Sequence, residues 1–197
     1  MSFAASEVLS AEDQAVLLEV ARQSITSGLE HGCALSIDPN AYPASLQPIR
    51  ATFVTLEIDN NLRGCIGALD ARLPLVEDVA EHAYSAAFED PRFPPLRKPE
   101  FAELALHISV LSPPLPLSFE SEDDVLAQLR PGVDGLVLQI GANRATFLPS
   151  VWEHLPDPYI FLAQLKQKAG LPLDYWSADL RIERYTTESF GNGPNAE

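Results

Sequence analysis

Two side chains that could do chemistry, Arg63 and Cys65, lie two positions apart in a short apolar stretch, Leu62–Leu69. We predict that this stretch is a strand, in which successive side chains point to opposite faces. Arg63, Cys65 and the bare Gly67 then share one face, so a fixed positive charge lies beside a thiol. A neighbouring cation favours the thiolate, which is the nucleophilic form of cysteine. The spacing therefore predicts a nucleophilic or redox site in which Arg63 assists Cys65.

Both residues also have a structural interpretation. Most free cysteines are small buried side chains, and Cys65 would then only fill space in a strand. If the strand is covered, Arg63 must meet an anion. That anion is either an internal carboxylate, such as Glu57 or Asp90, or a carboxylate or phosphate of a ligand. Composition and spacing leave these alternatives open.

Two glycines and a proline-rich loop supply further candidates for ligand contacts. Gly64 and Gly67 could admit a ligand to the strand, and close packing against a helix would explain them equally well. Asp90 and Arg92 belong to the segment 90–96, where three prolines exclude a helix. A stiff loop could hold a carboxylate and a guanidinium towards a ligand. Alternatively, the two side chains form an ion pair that braces the loop.

His107 and Thr146 are the remaining candidates. His107 shares the less apolar face of a predicted strand with Ser109, where an imidazole could act as a general base or form a packing hydrogen bond. Thr146 lies in a second predicted hairpin, and its alternative is a solvated edge strand. The other histidines and Cys33 lack metal-ligand spacing, and no phosphate-binding glycine motif occurs. The sequence therefore predicts no metal and no cofactor.

Hydrophobic periodicity predicts the elements that hold these residues. Two helices, one from Ser10 to about Gly28 and one from Pro74 to about Glu89, present apolar or small faces. Between them, β-branched residues around a turn at 59–61 predict the hairpin that contains Cys65. The other predicted elements are a strand at 104–111, a short helix at 121–128, a hairpin at 135–148, a helix around 161–169 and a strand at 180–185. We predict an α+β fold, with one domain over residues 1–190 and a flexible tail over 191–197.

Charge and composition limit the classes of function. The chain has 197 residues, of which 28 are acidic and 13 basic, and its net charge is −15. This charge repels phosphate backbones, which disfavours a nucleic-acid-binding protein. No apolar run reaches the roughly 20 residues of a membrane-spanning helix, and the first residues lack a secretory signal. Two cysteines cannot form a disulfide framework, so we expect reduced thiols and a cytoplasmic location.

Five motifs, taken in order, resemble one protein family. They are LRGCIGAL at 62–69, DPRFPPL at 90–96, ISVLSP at 108–113, RATFLP at 144–149 and KAG at 168–170. Their order and spacing resemble the AMMECR-type domain, the A component of the AmmeMemoRadiSam set, over about residues 10–190. The resemblance implies an α+β domain with a larger and a smaller lobe, an antiparallel sheet and a cleft bordered by the LRGCIG motif.

The resemblance implies no defined reaction, and two main hypotheses follow. In the first, the chain is an enzyme or a small-ligand-handling protein in which Arg63 holds an anionic group and Cys65 is the reactive thiol. In the second, it is a non-catalytic module that binds a Memo-type protein or a radical S-adenosylmethionine enzyme, with Arg63 and Asp90 as recognition charges. A nucleic-acid regulator ranks third because of the negative charge of the chain.

Overall fold

The computed structural model describes residues 8–193, and the chain divides into two compact units. The first unit is formed by two segments, the chain up to Leu111 and the chain from Glu188 onward. The second unit spans Ser112–Thr187. Both units contain helices and antiparallel strands. The predicted α+β fold with an antiparallel sheet is therefore confirmed.

The first unit combines three helices with a four-stranded sheet. The helices are α1 (Ala11–His31), α2 (Leu75–Phe88) and α3 (Lys98–Phe101). The strands are β1 (Thr52–Ile58), β2 (Asn61–Gly67), β3 (Ala105–Leu111) and β8 (Thr187–Asn192). They lie in the order β2-β1-β3-β8, so β2 is an edge strand. Helix α2 packs on β1 and β2, and α1 packs on α2.

Helix α1 begins where the sequence predicts and ends one turn later. Ser10 caps its first turn through the side-chain hydroxyl. The prediction that the helix ends near Gly28 is wrong, because it continues to His31 and is ended by Gly32 in the left-handed conformation (φ 73°). Gly28 has a packing role instead, since a Cβ there would lie 2.1 Å from the Phe88 ring.

Helix α2 and the β1–β2 hairpin match the prediction. All the small or apolar side chains predicted for the inner face of α2 are buried: Val76, Val79, Ala80, Ala83, Ala86 and Ala87. The hairpin turns at Asp59 and Asn60, whose positive φ values (52° and 61°) suit a tight turn between paired strands. The register shifts between Leu56 and Glu57, which makes Arg63 the extra residue of a β-bulge.

The two faces of this sheet differ in chemistry. The face towards the helices is buried and apolar, with Val54, Leu56, Leu106, Ile108 and Val110. The alternate positions carry polar groups that keep part of their surface exposed: Thr55, Glu57, Cys65, His107 and Ser109. Residues paired across neighbouring strands share a face. These polar side chains therefore form one surface.

The second unit has its own sheet and core. Its helices are α4 (Glu122–Gln128) and α5 (Pro158–Lys168), and its strands are β4 (Leu115–Pro116), β5 (Gly135–Ile140), β6 (Asn143–Phe147) and β7 (Arg181–Tyr185), in the order β4-β7-β5-β6. In the core, the Trp152 ring stacks on Phe161 with 3.7 Å between the centroids. Trp152 belongs to a 3₁₀ helix, Pro149–Glu153, in a segment for which the sequence predicts no regular element.

Besides the 3₁₀ helices, three elements of residues 8–193 are missing from the sequence prediction: α3, β4 and β8. The first two are short, and β8 is polar and contains a glycine, so none has a clear apolar period. Strand β8 includes Gly191 and Asn192, the first two residues of the segment predicted to be a flexible tail. Residues 194–197 of that segment lie outside the described part of the chain. Among residues 8–193, no helix is long and apolar enough to cross a membrane.

Candidate functional site

Seven of the eight candidate residues lie in the first unit, on β2, on β3 and in the loop that follows α2. They are Arg63, Gly64, Cys65, Gly67, Asp90, Arg92 and His107. Thr146 lies on β6 in the second unit, where its hydroxyl donates to the Leu136 carbonyl at 2.7 Å and hydrogen-bonds the Tyr185 hydroxyl at 3.1 Å. Burial raises the pKa of Tyr185 to about 12, so this hydroxyl stays neutral. These contacts tie β6 to its neighbour β5 and to β7, the next strand of the same sheet.

The side chains of Asp90 and Arg92 hold the backbone of Cys65. Asp90 Oδ2 accepts the Cys65 backbone N–H at 2.9 Å, and Arg92 Nη2 donates to the Cys65 carbonyl at 3.1 Å. The two side chains also bond to each other, with Arg92 Nη2 2.7 Å from Oδ2 and Nε 2.9 Å from Oδ1. Because β2 is an edge strand, this pair occupies backbone groups that a further strand would otherwise bind.

Asp90 is ionised in this arrangement. Its side chain is buried, and the hydrogen bond from Arg92 lowers the pKa of the carboxyl group well below the ordinary value, against the opposing effect of burial. The pKa of Arg92 is raised in turn, first by the hydrogen bond to Asp90 and to a smaller extent by the Cys65 side chain. The guanidinium bonded to Cys65 is thus that of Arg92, through the backbone carbonyl, whereas Arg63 is the predicted neighbour of the thiol.

Arg63 is paired with Glu100, which the sequence analysis does not single out. Arg63 Nε donates to Glu100 Oε1 at 3.0 Å, and its Nη2 donates to the Pro94 carbonyl at 2.9 Å. Hydrogen bonding from Arg63 lowers the pKa of Glu100 to about 2. The two carboxylates predicted as partners, Glu57 and Asp90, make other contacts. Arg63 therefore forms the predicted internal ion pair, but its partner is Glu100 rather than Glu57 or Asp90.

Both arginines lie near the Phe93 ring. The guanidinium carbon is 5.9 Å from the ring centroid for Arg63 and 5.6 Å for Arg92, distances at which a cation is attracted to an aromatic face. The buried Nη1 of Arg63 has no hydrogen-bond partner among residues 8–193. Arg63 and the segment 90–100 together carry four basic and two acidic side chains, whereas the whole chain has a net charge of −15. Glu57, which is paired with Leu62 of β2, and Asp59 in the adjoining turn bring the acidic side chains around β2 to four as well, so the two signs of charge balance there.

Three polar side chains form a row across neighbouring strands. Thr55 on β1 is paired with Cys65 on β2 and with His107 on β3, so all three share one face. The Thr55 hydroxyl donates to Cys65 Sγ at 3.3 Å. At the other end of the row, the His107 side chain is half exposed.

The two glycines of the motif have contacts that leave no room for a side chain. A Cβ at Gly64 would lie 2.1 Å from the Ala86 carbonyl in α2. A Cβ at Gly67 would lie 2.4 Å both from the Phe53 ring and from the Thr52 carbonyl. Protein atoms already fill both positions, so the contacts favour packing over the admission of a ligand.

Three residues of this region are absent from the sequence prediction: Thr55, Phe93 and Glu100. Two of them could have been predicted from the sequence. Alternation along β1 places Thr55 on the polar face of the sheet, and Phe93 lies inside the DPRFPPL motif. Glu100 has no such signal, because it lies 37 positions from Arg63 and beyond a proline-rich loop. Within residues 8–193, no group of three or more His, Cys, Asp or Glu side chains could hold a metal ion.

Comparison with known proteins places this fold and motif in one family. The family model for AMMECR1 matches residues 18–190. A protein from Methanothermobacter thermautotrophicus is 39% identical over 184 residues, which cover 92% of this chain and 95% of that protein. Protein MK0488 of Methanopyrus kandleri is 36% identical over 193 residues, covering 93% of this chain and 90% of the relative.

A solved structure agrees with these sequence matches. The crystal structure of the uncharacterized protein PH0010 from Pyrococcus horikoshii superposes with a TM-score of 0.79 at 34% sequence identity, covering 92% of both chains. The chain therefore belongs to the AMMECR1 family, and the resemblance predicted from its motifs is confirmed.

Proposed function

We propose that this AMMECR1-family chain is a cytoplasmic enzyme that binds a small anionic ligand beside the Cys65 thiol, with Arg92 and Arg63 supplying positive charge. The observation that carries the proposal is the buried Nη1 of Arg63, a donor with no hydrogen-bond partner among residues 8–193, on the strand that holds Cys65. Two unpaired cysteines suit a compartment in which thiols stay reduced.

The chemistry of the thiol supports this proposal. Cys65 is partly exposed, its Sγ accepts a hydrogen bond from Thr55, and its backbone is held by Asp90 and Arg92. A partly exposed thiol with a guanidinium group bonded to its backbone differs from the inert, fully buried cysteines of protein cores. An anionic substrate drawn to the same charges would meet a nucleophile whose position is already fixed.

The arginines differ in how they would contact an anion. Arg92 is exposed over 54% of its side chain and could turn one edge of its guanidinium towards a ligand while the other stays on Asp90. The Arg63 side chain is 11% exposed, and its Nη1 is a donor without a partner in the described part of the chain. Leaving a buried donor unsatisfied costs about 1–3 kcal/mol, so a ligand oxygen that accepts this bond would recover that energy.

Protection of Cys65 by small anions tests the proposal. A Cys33→Ser protein is labelled with neutral iodoacetamide in the presence of phosphate or succinate, with chloride at the same ionic strength as reference. We expect phosphate or succinate to slow the labelling of Cys65 in a saturable manner. The protection should weaken in Arg63→Ala and in Arg92→Lys, which keeps the charge but loses the guanidinium fork.

The control for these variants is Arg72→Ala, which removes an exposed arginine of the same unit and should leave protection unchanged. Circular dichroism confirms that each variant is folded. If neither anion slows labelling more than chloride does, or if Arg72→Ala weakens protection as much as the other two, the proposed anion site is wrong.

A partner module is the second candidate function, in which the same surface binds a Memo-type protein or a radical S-adenosylmethionine enzyme. It is favoured by Leu62, whose side chain is 43% exposed on the edge strand next to Arg63. A pull-down with the purified candidate partners tests it. A pure module should bind one of them stoichiometrically, lose binding in Leu62→Glu and keep it in Cys65→Ser.

A further inference from the structure

Asn192 is the last residue of strand β8 and is followed by Gly193, and no other asparagine of the chain precedes a glycine. The backbone nitrogen of the following residue can attack the side-chain amide of an asparagine. Glycine permits this attack most readily, because it has no Cβ to hinder the approach or to restrict the backbone. Gly193 lies outside β8, and a Cβ built on it would meet nothing within 4 Å. Residue 192 is therefore placed for conversion of its amide to an acid.

The Asn192 amide contacts a guanidinium group, that of Arg22 on α1. Arg22 Nη2 lies 3.5 Å from Asn192 Oδ1 and 3.3 Å from the Leu104 carbonyl oxygen. Both acceptors are neutral, and the ion pairs of residues 8–193 do not include Arg22. The buried Nε of Arg22 has no hydrogen-bond partner in the same part of the chain. A cation thus faces an uncharged amide with one of its donors unused.

The donors of Arg22 suit a carboxylate better than an amide. Nε and Nη2 form one edge of the guanidinium group, and a carboxylate accepts from both at once through its two oxygens. The asparagine amide has a single acceptor oxygen, and its NH₂ group is a donor. The contact of 3.5 Å between Nη2 and Oδ1 is accordingly longer than the usual range for a hydrogen bond. The geometry favours a carboxylate at residue 192.

We infer that Asn192 is a self-modification site, at which deamidation yields a carboxylate that pairs with Arg22. The inference goes beyond the function proposed above and is independent of it, because it concerns α1 and β8 rather than Cys65. Arg22 acts at both stages of the conversion. Its positive charge beside Oδ1 stabilises the negative oxygen of the tetrahedral intermediate, and the same charge afterwards binds the product.

The reaction needs water as its one co-reactant. The Gly193 nitrogen loses its proton and forms a bond to Cγ of Asn192, and the bond from Cγ to the amide nitrogen breaks as ammonia leaves with that proton. Water then adds to one carbonyl of the cyclic imide and breaks the bond from that carbonyl to the Gly193 nitrogen. Addition at the backbone carbonyl gives isoaspartate. Addition at Cγ restores the normal backbone, with a carboxylate where the amide oxygen contacts Arg22.

Incubation of the native protein at mildly alkaline pH tests the site. Peptide mapping by mass spectrometry follows the conversion of amide to acid at each asparagine. We expect Asn192 to convert before Asn60 and Asn143, and Gly193→Ala to slow the conversion at residue 192 alone. Arg22→Gln should slow it by roughly tenfold, less than the about 10²–10³-fold effect of a close oxyanion donor, because the contact with Oδ1 is long.

Two controls separate the electrostatic role of Arg22 from a structural one. In the urea-unfolded chain, Arg22→Gln should convert Asn192 at the parent rate, and Arg72→Gln, at an exposed arginine of the same unit, should leave the native rate unchanged. Loss of packing alone in Arg22→Gln would free the end of β8 and speed the conversion. Conversion of Asn192 no faster than that of Asn143, or an equal or higher native rate in Arg22→Gln, would overturn the inference.

Asn192→Asp tests the pairing directly, because this variant carries the product from the start. In a chain of net charge −15 a further acid is unfavourable on general grounds, so stabilisation would be specific to this position. We expect a higher midpoint of urea unfolding in Asn192→Asp, and no rise when the same substitution is made in the Arg22→Gln protein. The same midpoint change in both backgrounds would overturn the proposed pairing with Arg22.

Discussion

The carboxylate of Asp90 accepts the backbone N–H of Cys65 at 2.9 Å, which couples the DPRFPPL motif to the LRGCIG motif. Arg92 completes the connection by donating to the Cys65 carbonyl. These two bonds satisfy the N–H and the carbonyl of Cys65 on the outer side of β2, where no further strand pairs with it. They also fix the backbone of the residue that carries the thiol, so the proline-rich loop has a structural role at the candidate site.

Asp90→Asn should destabilise the first unit. The amide keeps an oxygen acceptor but loses the charge that Arg92 neutralises, and it adds a donor group in a buried place. We expect the free energy of unfolding to fall by about 1–3 kcal/mol, measured by urea denaturation. Asp174→Asn, at an exposed position, is the control and should change stability by less than about 0.5 kcal/mol. Equal effects of the two substitutions would contradict this account of Asp90.

Glu100 should make stability depend on pH in acid. Its pKa is lowered from 4.5 to about 2, chiefly by the hydrogen bond from Arg63. A carboxyl group with a lowered pKa stabilises the folded state fully above its unfolded pKa and loses this contribution as pH falls through the folded value. The free energy of unfolding should therefore decrease between pH 4.5 and about 2.

Glu100→Gln isolates this contribution. The variant should be less stable than the parent above pH 4.5, and the difference should shrink as pH falls towards about 2, because the parent then carries a protonated acid at residue 100. Asp90 titrates in both proteins and so cancels in the comparison. A difference in unfolding free energy that stays constant over this window would show that the Glu100 ion pair contributes nothing.

Gly64→Ala should destabilise the chain through overpacking. The new Cβ would lie 2.1 Å from the Ala86 carbonyl, and backbone atoms of α2 must move to accept it. Overpacking of this kind costs about 1–3 kcal/mol in unfolding free energy. The matched control is Gly193→Ala, where a Cβ meets nothing within 4 Å. Wild-type stability in Gly64→Ala would mean that β2 and α2 are not held this closely.

Thr55→Val should slow the reaction of Cys65 with iodoacetamide near neutral pH. Valine has nearly the shape of threonine but lacks the hydroxyl that donates to Sγ at 3.3 Å. A hydrogen bond of this kind contributes about 0.5–1.5 kcal/mol, so the rate should fall by roughly 2- to 10-fold. The comparison is Thr146→Val in the second unit, which should leave the Cys65 rate unchanged. An unchanged rate in Thr55→Val would remove Thr55 from the site.

Local patterns are enough to predict much of this fold. The cap at Ser10, the small-residue face of α2 and the turn at Asp59 and Asn60 all depend on residues close together in the chain, and each is found where the sequence places it. A local signal can also mislead. Gly28 resembles a helix stop, but the glycine is required by the Phe88 ring, which is distant in sequence.

The partners of the site residues could not be predicted in the same way. Arg63 and Cys65 follow from strand alternation, but the β-bulge at Arg63 interrupts the alternation, and the guanidinium bonds Glu100 instead of assisting the thiol directly. The cation bonded to Cys65 is Arg92, which reaches the Cys65 carbonyl only because the loop after α2 returns along the edge of β2. Such a return depends on the path of the whole loop, which no periodicity encodes.

The most direct test of an anion-binding thiol site is a competition between iodoacetate, which is negatively charged, and neutral iodoacetamide on the native chain. Peptide mapping gives the ratio of the two adducts at each cysteine, and Cys33 serves as the internal reference, since its groove is lined by Glu77, Glu81 and Glu89. We predict a higher share of the iodoacetate adduct at Cys65 than at Cys33. An equal or lower share at Cys65, or no labelling of Cys65 while Cys33 reacts, would contradict the account.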